Sequence, residues 1–391
     1  MTRRFFLAFI ATAGLGVLWV TPQWSPTASV EAQAIAGPLP DRLTDLQFWG
    51  LVTRMSEPNG YFRSENLVSN EHTFQYVIPT LERRVRGGVY LGVAPDQNFT
   101  YIAATKPKMA FIVDIRRGNL LQHLMYKALI EMSADRADFG SRLFSKPRPP
   151  GLGAESSVDA IFAAFERVAS SETQYRENLA AINASLVTRH GFRLSMDDLQ
   201  QLEDIYWQFF WEGPAIRYTT SAAVNGFGRG GGRRGFGMSF PTYADLAQQA
   251  DWDGRTWGYL ASEETFAFLK DFEAKNLIVP VVGDFAGPKA LRAVGRYVRD
   301  HGETISAFYV SNVEQYLFQN DVWTGFYRNV ATLPLSDSST FIRSVSNRMG
   351  YDGPMMWTDG RATVLDPIRA SVRDFLSGRI SRYYDLNARW K

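Results

Sequence analysis

The chain has 391 residues, of which 14% are aromatic, with 42 basic and 40 acidic side chains and no cysteine. That composition supports a sizeable core and speaks against disorder over most of the length. The lack of cysteine excludes disulfides, thiolate metal sites, Fe–S clusters and cysteine nucleophiles, and a formal charge of +2 gives no bulk electrostatic case for nucleic acid or anionic membrane.

At the front, Arg3 and Arg4 precede an apolar run from Phe5 to Val20, and Ala32-Gln33-Ala34 offers a small-x-small cleavage site. This is the three-part layout of an export signal. Arg3-Arg4-Phe5-Phe6-Leu7 also resembles a twin-arginine signal, without the usual following Lys. The apolar run falls short of the roughly 20 residues that cross a bilayer, and an uncleaved anchor is the alternative to cleavage. The expectation is an exported protein, periplasmic or membrane-tethered, touching membrane only through residues 1–34. A misassigned start codon would instead leave a cytoplasmic product.

Next, Pro40–Met55 reads as a helix with Leu43, Leu46, Trp49, Leu51 and Val52 on one broad face. Ser56–Phe62 is a turn by composition, Ser64–Glu71 is polar, and His72–Arg84 is helical. Gly88–Arg117 then reads as strand, tight loop, short helix and strand. Val89, Tyr90, Leu91 and Val93 form one apolar run, Met109–Val113 another, and Asp114 closes the second. Both runs suit buried parallel strands. In such a unit a nucleotide-like ligand sits over the first loop, and a carboxylate ending the second strand accepts from ribose hydroxyls. The separation of Gly92 from Asp114 is close to the roughly 20 residues this geometry produces.

Asn119–Phe139 has helical spacing, with His123 beside its apolar stripe as a solvated or core-edge residue. Lys146–Gly153 is a linker. Residues 155–220 read as an all-α insertion ending in Ser195–Glu212. Gly226–Gly237 (GFGRGGGRRGFG) is either a mobile glycine-lengthened loop or a small clamp for phosphate or RNA; no strand precedes it, so it is no P-loop. Strand 277–285 resumes the α/β pattern, with Pro280 removing one donor from what the pattern makes a central strand. A helix after Pro288 is stopped by Gly302. Ile305–Val310 is a strand, a helix runs from Val313 towards Phe326, and a strand at Thr340–Val345 and a helix at Pro367–Leu376 follow. The fold class is therefore α/β: a doubly wound, mainly parallel Rossmann-like sheet with an all-α insertion. Its parts are the export segment 1–34, a first half 35–145, the insertion with the Gly/Arg-rich loop 146–240, and a second half with C-terminal extension 241–391.

Ligands of open parallel sheets bind at the carboxyl ends of the strands. That rule selects Gly92–Asn98, Asp114–Arg117, Gly283–Gly287 and Ser311–Glu314, all polar for loops leaving apolar strands. Asp284 and Glu314 can serve as acids, bases or amine ligands, and Asn98, Ser311 and Asn312 as neutral hydrogen-bonding groups. Helix capping is the competing role for Asn98 and Asn312. The four histidines contain no i, i+4 pair and no His-x-His, so no metal site is expected, and Glu71-His72 reads as surface. No Gly-x-Ser-x-Gly elbow marks a hydrolase.

The order of elements resembles a class I S-adenosylmethionine-dependent methyltransferase. The phrases SENLVSNE, GVAPDQNFTYIA, FIVDIRRGNLLQHL, VPVVGDFAGPKALRAVGRY and FYVSNVEQYLF also look like an uncharacterised bacterial family with such a domain, over residues 45–145 and 240–345. The resemblance implies S-adenosylmethionine, or a related small nucleoside-like ligand, held by Gly92, Ala94, Asp96, Gln97, Asn98, Asp114, Gly283, Asp284, Ser311 and Asn312. It makes Asn66, Asn70, Glu71 and Glu314 lid or substrate residues. Ala94 and Asp96 stand where a methyltransferase loop has glycines, and Ala94 and Gln97 where a dinucleotide fingerprint has them. The Asp96 carboxylate disfavours pyrophosphate and suits a cationic sulfonium. Gly283-Asp284-Phe285-Ala286 replaces the Asp/Asn-Pro-Pro-aromatic motif, so no acceptor-activating base carries over. An exported binding or scaffold protein without catalysis is the other reading of this fold.

Overall fold

The computed structural model describes residues 37–218, 240–346 and 361–389. The expected export segment 1–34 and the Gly/Arg-rich stretch 226–237 lie outside them. Among the described residues no helix is long and apolar enough to cross a membrane.

Strands β1 (Val89–Gly92), β2 (Met109–Asp114), β3 (Ile278–Val282), β4 (Ile305–Ser311), β5 (Leu335–Ser346) and β6 (Arg361–Pro367) form one sheet, ordered β3-β2-β1-β4-β5-β6. All neighbours are parallel except β5 and β6. This is the mainly parallel Rossmann-like sheet that the alternation of strands and helices predicts. Strands β1 and β2 are buried along their whole length, which is why their sequences are unbroken apolar runs rather than alternating ones. Val279, Phe111, Leu91, Phe308 and Phe341 lie opposite one another and form a row across five strands. Phe285 and Phe326 stack at 5.6 Å, and Phe285 meets the edge of Phe308 at 5.3 Å.

Pro280 does not interrupt the ladder. β3 is an edge strand, and Val282, two residues on, points its N–H and C=O outward, to Ser56 Oγ (3.0 Å) and from Glu57 N (2.8 Å). Pro280 shares that outward side, where its missing N–H costs no strand pairing. The same contacts let the Ser56–Glu57 turn cover the exposed edge.

The expected helices form with shifted limits. The first is Asp45–Met55, because Thr44 and Gln47 close a capping box. Asn119–Phe139 is two helices, Arg117–Met132 and Arg136–Phe144, since Asp135 caps a new start by accepting from Asp138 N. The stretch from Val313 breaks at Asn320–Val322 into Val313–Gln319 and Trp323–Val330. Strand β6, which the sequence reading lacks, pairs antiparallel along β5. The insertion is helical: Val158–Glu166, Glu172–Asn183 with a π-helical continuation Ala184–Arg189, and Met196–Glu212. Ser157, Ser171 and Ser195 cap these starts through their hydroxyls.

Buried charges fasten the additions to the sheet. Arg343 on β5 is 1% exposed; it donates to Glu314 from Nε (2.6 Å) and Nη2 (3.1 Å), and pairs with Asp366 on β6. Arg136 donates from Nη2 to the carbonyls of Ala154 and Ser156, both at 2.8 Å, fixing the start of the helical insertion to the helix that precedes it. His190, after the π-helical stretch, bridges Asp45 (2.7 Å) and Glu131 (2.8 Å). His123 is buried rather than at a core edge; burial lowers its pKa to about 4, so the neutral ring donates from Nε2 to Ala94 O at 2.9 Å.

Removing one partner from a buried ion pair leaves the others uncompensated. Arg343→Ala is expected to lower stability by about 3–5 kcal/mol in urea unfolding, because the buried carboxylates of Glu314 and Asp366 lose their shared arginine. His190 supplies a pH dependence. Burial disfavours its charge, but the bonds to Glu131 and Asp45 prevail and raise its pKa. The folded state therefore holds this proton more tightly than the unfolded one, and the stabilisation is full below the ordinary value of 6.5 and lost as pH rises through the raised pKa. The stability advantage of the natural chain over His190→Gln should shrink as pH rises above about 6.5, read as urea midpoints.

Candidate functional site

A cleft of about 860 Å³, measured to its open mouth, lies at the carboxyl ends of β1, β2, β3 and β4. Strand order reverses between β1 and β4, and the crevice at such a reversal is where open α/β sheets bind ligands. Of the residues expected there, Asn66, Ala94, Asp114, Gly283, Asp284, Ser311 and Asn312 line it. Tyr61, Phe62, Phe285 and Tyr316 add aromatic walls. Phe62 meets the edge of Tyr316 at 5.1 Å, and Arg63 donates to the Tyr316 hydroxyl at 3.1 Å, closing one side of the mouth.

Three wall residues, Asn66 (φ 50°), Ala94 (φ 67°) and Ser311 (φ 50°), are non-glycine residues in the left-handed region. Such conformations cost of order 1–3 kcal/mol each and persist only where surrounding contacts impose them. The contacts are visible. Ala94 O accepts from His123 Nε2 and, at 3.1 Å, from Asn98 Nδ2. Ser311 Oγ donates to Glu71 Oε1 at 2.5 Å. Lys106, Ser145, Asn276 and Asp321 adopt the same conformation elsewhere, so the cleft holds three of the seven such residues described.

Asp114 ends β2 as expected, but its carboxylate is shared. Arg116 donates to Oδ1 from its backbone N (2.9 Å) and Nε (3.1 Å), and to Oδ2 from Nη2 (3.2 Å). Arg116 Nη1 also donates to Ser64 O at 3.2 Å. The pair presents both acceptor and donor groups to the cleft rather than a bare negative charge. Asp284 folds over its own turn, with Oδ1 accepting from Ala286 N at 2.9 Å.

The other expected site residues have structural tasks. Asn98 is fully buried and acts as a staple rather than a cap or ligand contact; it accepts from the Tyr90 hydroxyl (2.9 Å) and turns its amide to Val93 O (2.8 Å) and Pro95 O (2.7 Å). Gly92 makes room for that staple, since a Cβ there would stand 1.9 Å from Asn98 Oδ1. Gly283 lies in the wall, yet its lack of a side chain serves packing, with Ala290 Cβ 2.1 Å from where a Cβ would be. Gln97 donates to Glu71 (3.0 Å) and the Tyr101 hydroxyl (3.0 Å) and accepts from Ser69. Glu71 is 2% exposed, an internal anchor of its segment rather than part of a lid surface. Asn70 is half-buried and outside the cleft lining. Glu314 is committed to Arg343.

Asp96 corrects the charge argument. Its carboxyl is turned into a small separate cavity with Tyr243 and Tyr259, accepts from the Tyr259 hydroxyl at 3.1 Å, and has its pKa pushed up to about 7 by burial. It therefore offers no carboxylate to a sulfonium in the cleft. Two neighbours have no role in the sequence reading, although Arg116 lies in the selected loop Asp114–Arg117. Arg116 stands two residues beyond Asp114, a spacing that could have signalled a shared carboxylate. Glu57 accepts from Asp284 N (3.0 Å), Lys289 N (2.8 Å) and Ala290 N (2.8 Å), so the anion-binding start of helix Ala290–Asp300 is already filled. Nothing in the turn Ser56–Phe62 announces that reach.

Asp96→Asn should leave ligand affinity in the cleft unchanged. Its stability relative to the natural chain should also rise from about pH 4 to about pH 7, where the unfolded chain releases the Asp96 proton that the folded chain still holds and the amide has no proton to release. Paired binding and urea titrations at about pH 4.5 and about pH 7.5 check both halves.

One protein-family model matches the chain, described as a domain of unknown function (DUF7790), over residues 66–190 and 240–364. Those segments include Asn66, Glu71, Ala94, Asp114, Asp284 and Ser311. No curated protein matches. With more than half of its length in that match, the chain belongs to the DUF7790 family.

Proposed function

We propose that the cleft binds a small nucleoside-like molecule, with S-adenosylmethionine or a close relative as the first ligand to test. The observation that carries this reading is Asp114 at the end of β2, inside a cleft at the strand-order reversal. The residues fit a nucleoside. Asp114 Oδ2 accepts only Arg116 Nη2 among its described partners and keeps capacity for a sugar hydroxyl. Arg116 keeps guanidinium N–H groups beyond its three bonds and can donate to a ring nitrogen or carboxylate. Asp284 is placed to accept from an exocyclic amine, and Phe62, Phe285 and Tyr316 offer apolar faces to a base.

When bound, S-adenosylmethionine would supply an electrophilic methyl group; the acceptor is a separate question. This chain's contribution is to orient the sugar through Asp114, to fix the base through Asp284, and to exclude water with the aromatic rim. Pyrophosphate cofactors fit less well, because Ala94 and Gln97 stand where a dinucleotide-binding loop has the glycines that let its backbone approach the phosphates. An export route through residues 1–34 belongs to the same proposal and requires a ligand loaded before export or met outside. The loss of Asp96 from the cleft favours keeping the second reading, a non-catalytic binding protein for an uncharged nucleoside.

Thermal unfolding of the purified chain with S-adenosylmethionine, S-adenosylhomocysteine, adenosine and NAD tests this. A ligand at 100 times its dissociation constant should add about 2.7 kcal/mol of stability. The first three are expected to raise the melting temperature and NAD to leave it unchanged. Asp114→Ala and Asp284→Asn should each weaken the response about tenfold or more, the loss of one hydrogen bond to a charged group. Adenosine alone would identify the second reading. Folded protein that responds to none of the four ends the nucleoside assignment.

A further inference from the structure

β4 ends at Ser311, and helix Val313–Gln319 begins two residues later. Ser311 therefore stands at a tight strand-to-helix turn, with φ at 50° and its side chain in the cleft wall. A strained turn of this kind lifts a serine hydroxyl off the end of a sheet strand, as in the nucleophile elbows of hydrolases. The glycines that usually flank such a serine are absent, and Tyr309 and Val313 occupy their places.

The hydroxyl also has a base. Ser311 Oγ donates to Glu71 Oε1 at 2.5 Å, and Glu71 is buried. The carboxylate is held from two further sides, by the Tyr309 hydroxyl on Oε1 (2.9 Å) and Gln97 Nε2 on Oε2 (3.0 Å). Gln97 is itself fixed by Tyr101 and Ser69. Nucleophile, adjacent base and a third group that orients the base form the general pattern of an activated nucleophile. Two carboxamides, Asn66 and Asn312, line the same cleft, and buried Asn66 Oδ1 has no partner among the described residues. Carboxamide N–H groups are suitable donors to a developing oxyanion.

We infer that Ser311 is a nucleophile with Glu71 as its general base, giving the cleft an acyl-transfer activity on small carboxylic esters. Ser311 Oγ bonds to the ester carbonyl carbon as its proton passes to Glu71. The tetrahedral intermediate collapses by breaking the bond to the alkoxy oxygen, which leaves as the alcohol with the proton from Glu71. Water then attacks the acyl-serine and gives a proton to Glu71, which returns it to Ser311 Oγ as the carboxylic acid departs. No oxidant, metal or cofactor enters the balance. The assignment does not depend on the nucleoside reading, and an acylated nucleoside would satisfy both.

Labelling the full chain with a fluorophosphonate, with the adduct located by peptide mass spectrometry, tests the inference. The expected result is an adduct on Ser311, absent from Ser311→Ala, alongside 4-nitrophenyl acetate hydrolysis lost in the same variant. Glu71→Gln should slow both about 100-fold, the low end for general-base catalysis. Should Glu71→Gln fail to fold, Tyr309→Phe reads the same base, because it removes one of the groups that hold the Glu71 carboxylate and should slow both reactions while leaving Ser311 in place. An unlabelled Ser311 in folded protein, labelling that survives Ser311→Ala, or folded Glu71→Gln or Tyr309→Phe protein that reacts as fast as the natural chain overturns the inference. An adduct without a nucleoside-dependent melting shift removes only the nucleoside reading, and a shift without an adduct removes only this one.

Discussion

The carboxylate of Glu71 is the point on which the cleft is assembled. A buried charge is costly unless hydrogen bonds replace its water, and Glu71 obtains three, from Gln97, Tyr309 and Ser311. Those partners come from the helix after β1, from within β4 and from its end. One side chain therefore ties the polar segment Ser64–Glu71 to both sides of the strand-order reversal. Burial, reinforced by the neighbouring Glu71 charge, raises the Tyr309 pKa well above its usual value, which keeps that hydroxyl a donor. The left-handed backbone of Ser311 is sustained by the same bond.

A second constraint shapes the loops around it. Short loops leaving parallel strands carry backbone carbonyls that helix and sheet cannot satisfy, and polar side chains must do so. Asn98 and His123 hold the carbonyls of Val93, Ala94 and Pro95. Glu57 holds the amides of Asp284, Lys289 and Ala290. Polarity in these loops thus has two origins. Asn98, Gln97 and Glu57 serve the backbone or the core, whereas Asp284, Asn312 and Asn66 face the cleft.

Buried ion pairs carry the additions to the central sheet. Arg343 with Glu314 and Asp366 joins β5 to β6, and Lys127, Glu131 and His190 join the insertion to the first helix. Such pairs contribute less net stability than apolar packing of the same volume, but they admit few alternative arrangements. That suits a sheet whose last strand reverses direction.

The sequence by itself determined the parallel sheet, the all-α insertion and the four loops at the carboxyl ends of the strands. Strand burial, helical periodicity and the alternation of the two are local signals, and they place Asp114, Asp284 and Ser311 at one edge through topology alone. It also implied that Asp96, Gln97, Asn98, Glu71 and Glu314 belonged with them, because a loop residue's composition does not tell which way its side chain turns. Only the tertiary structure decided that. Asp96 turns towards Tyr259, Glu314 towards Arg343 and Glu71 inward beneath Ser311, each following a partner from a distant part of the chain. Arg116 and Glu57 became visible for the same reason: the groups that satisfy a buried or strained site are chosen by proximity in space, which local sequence does not encode.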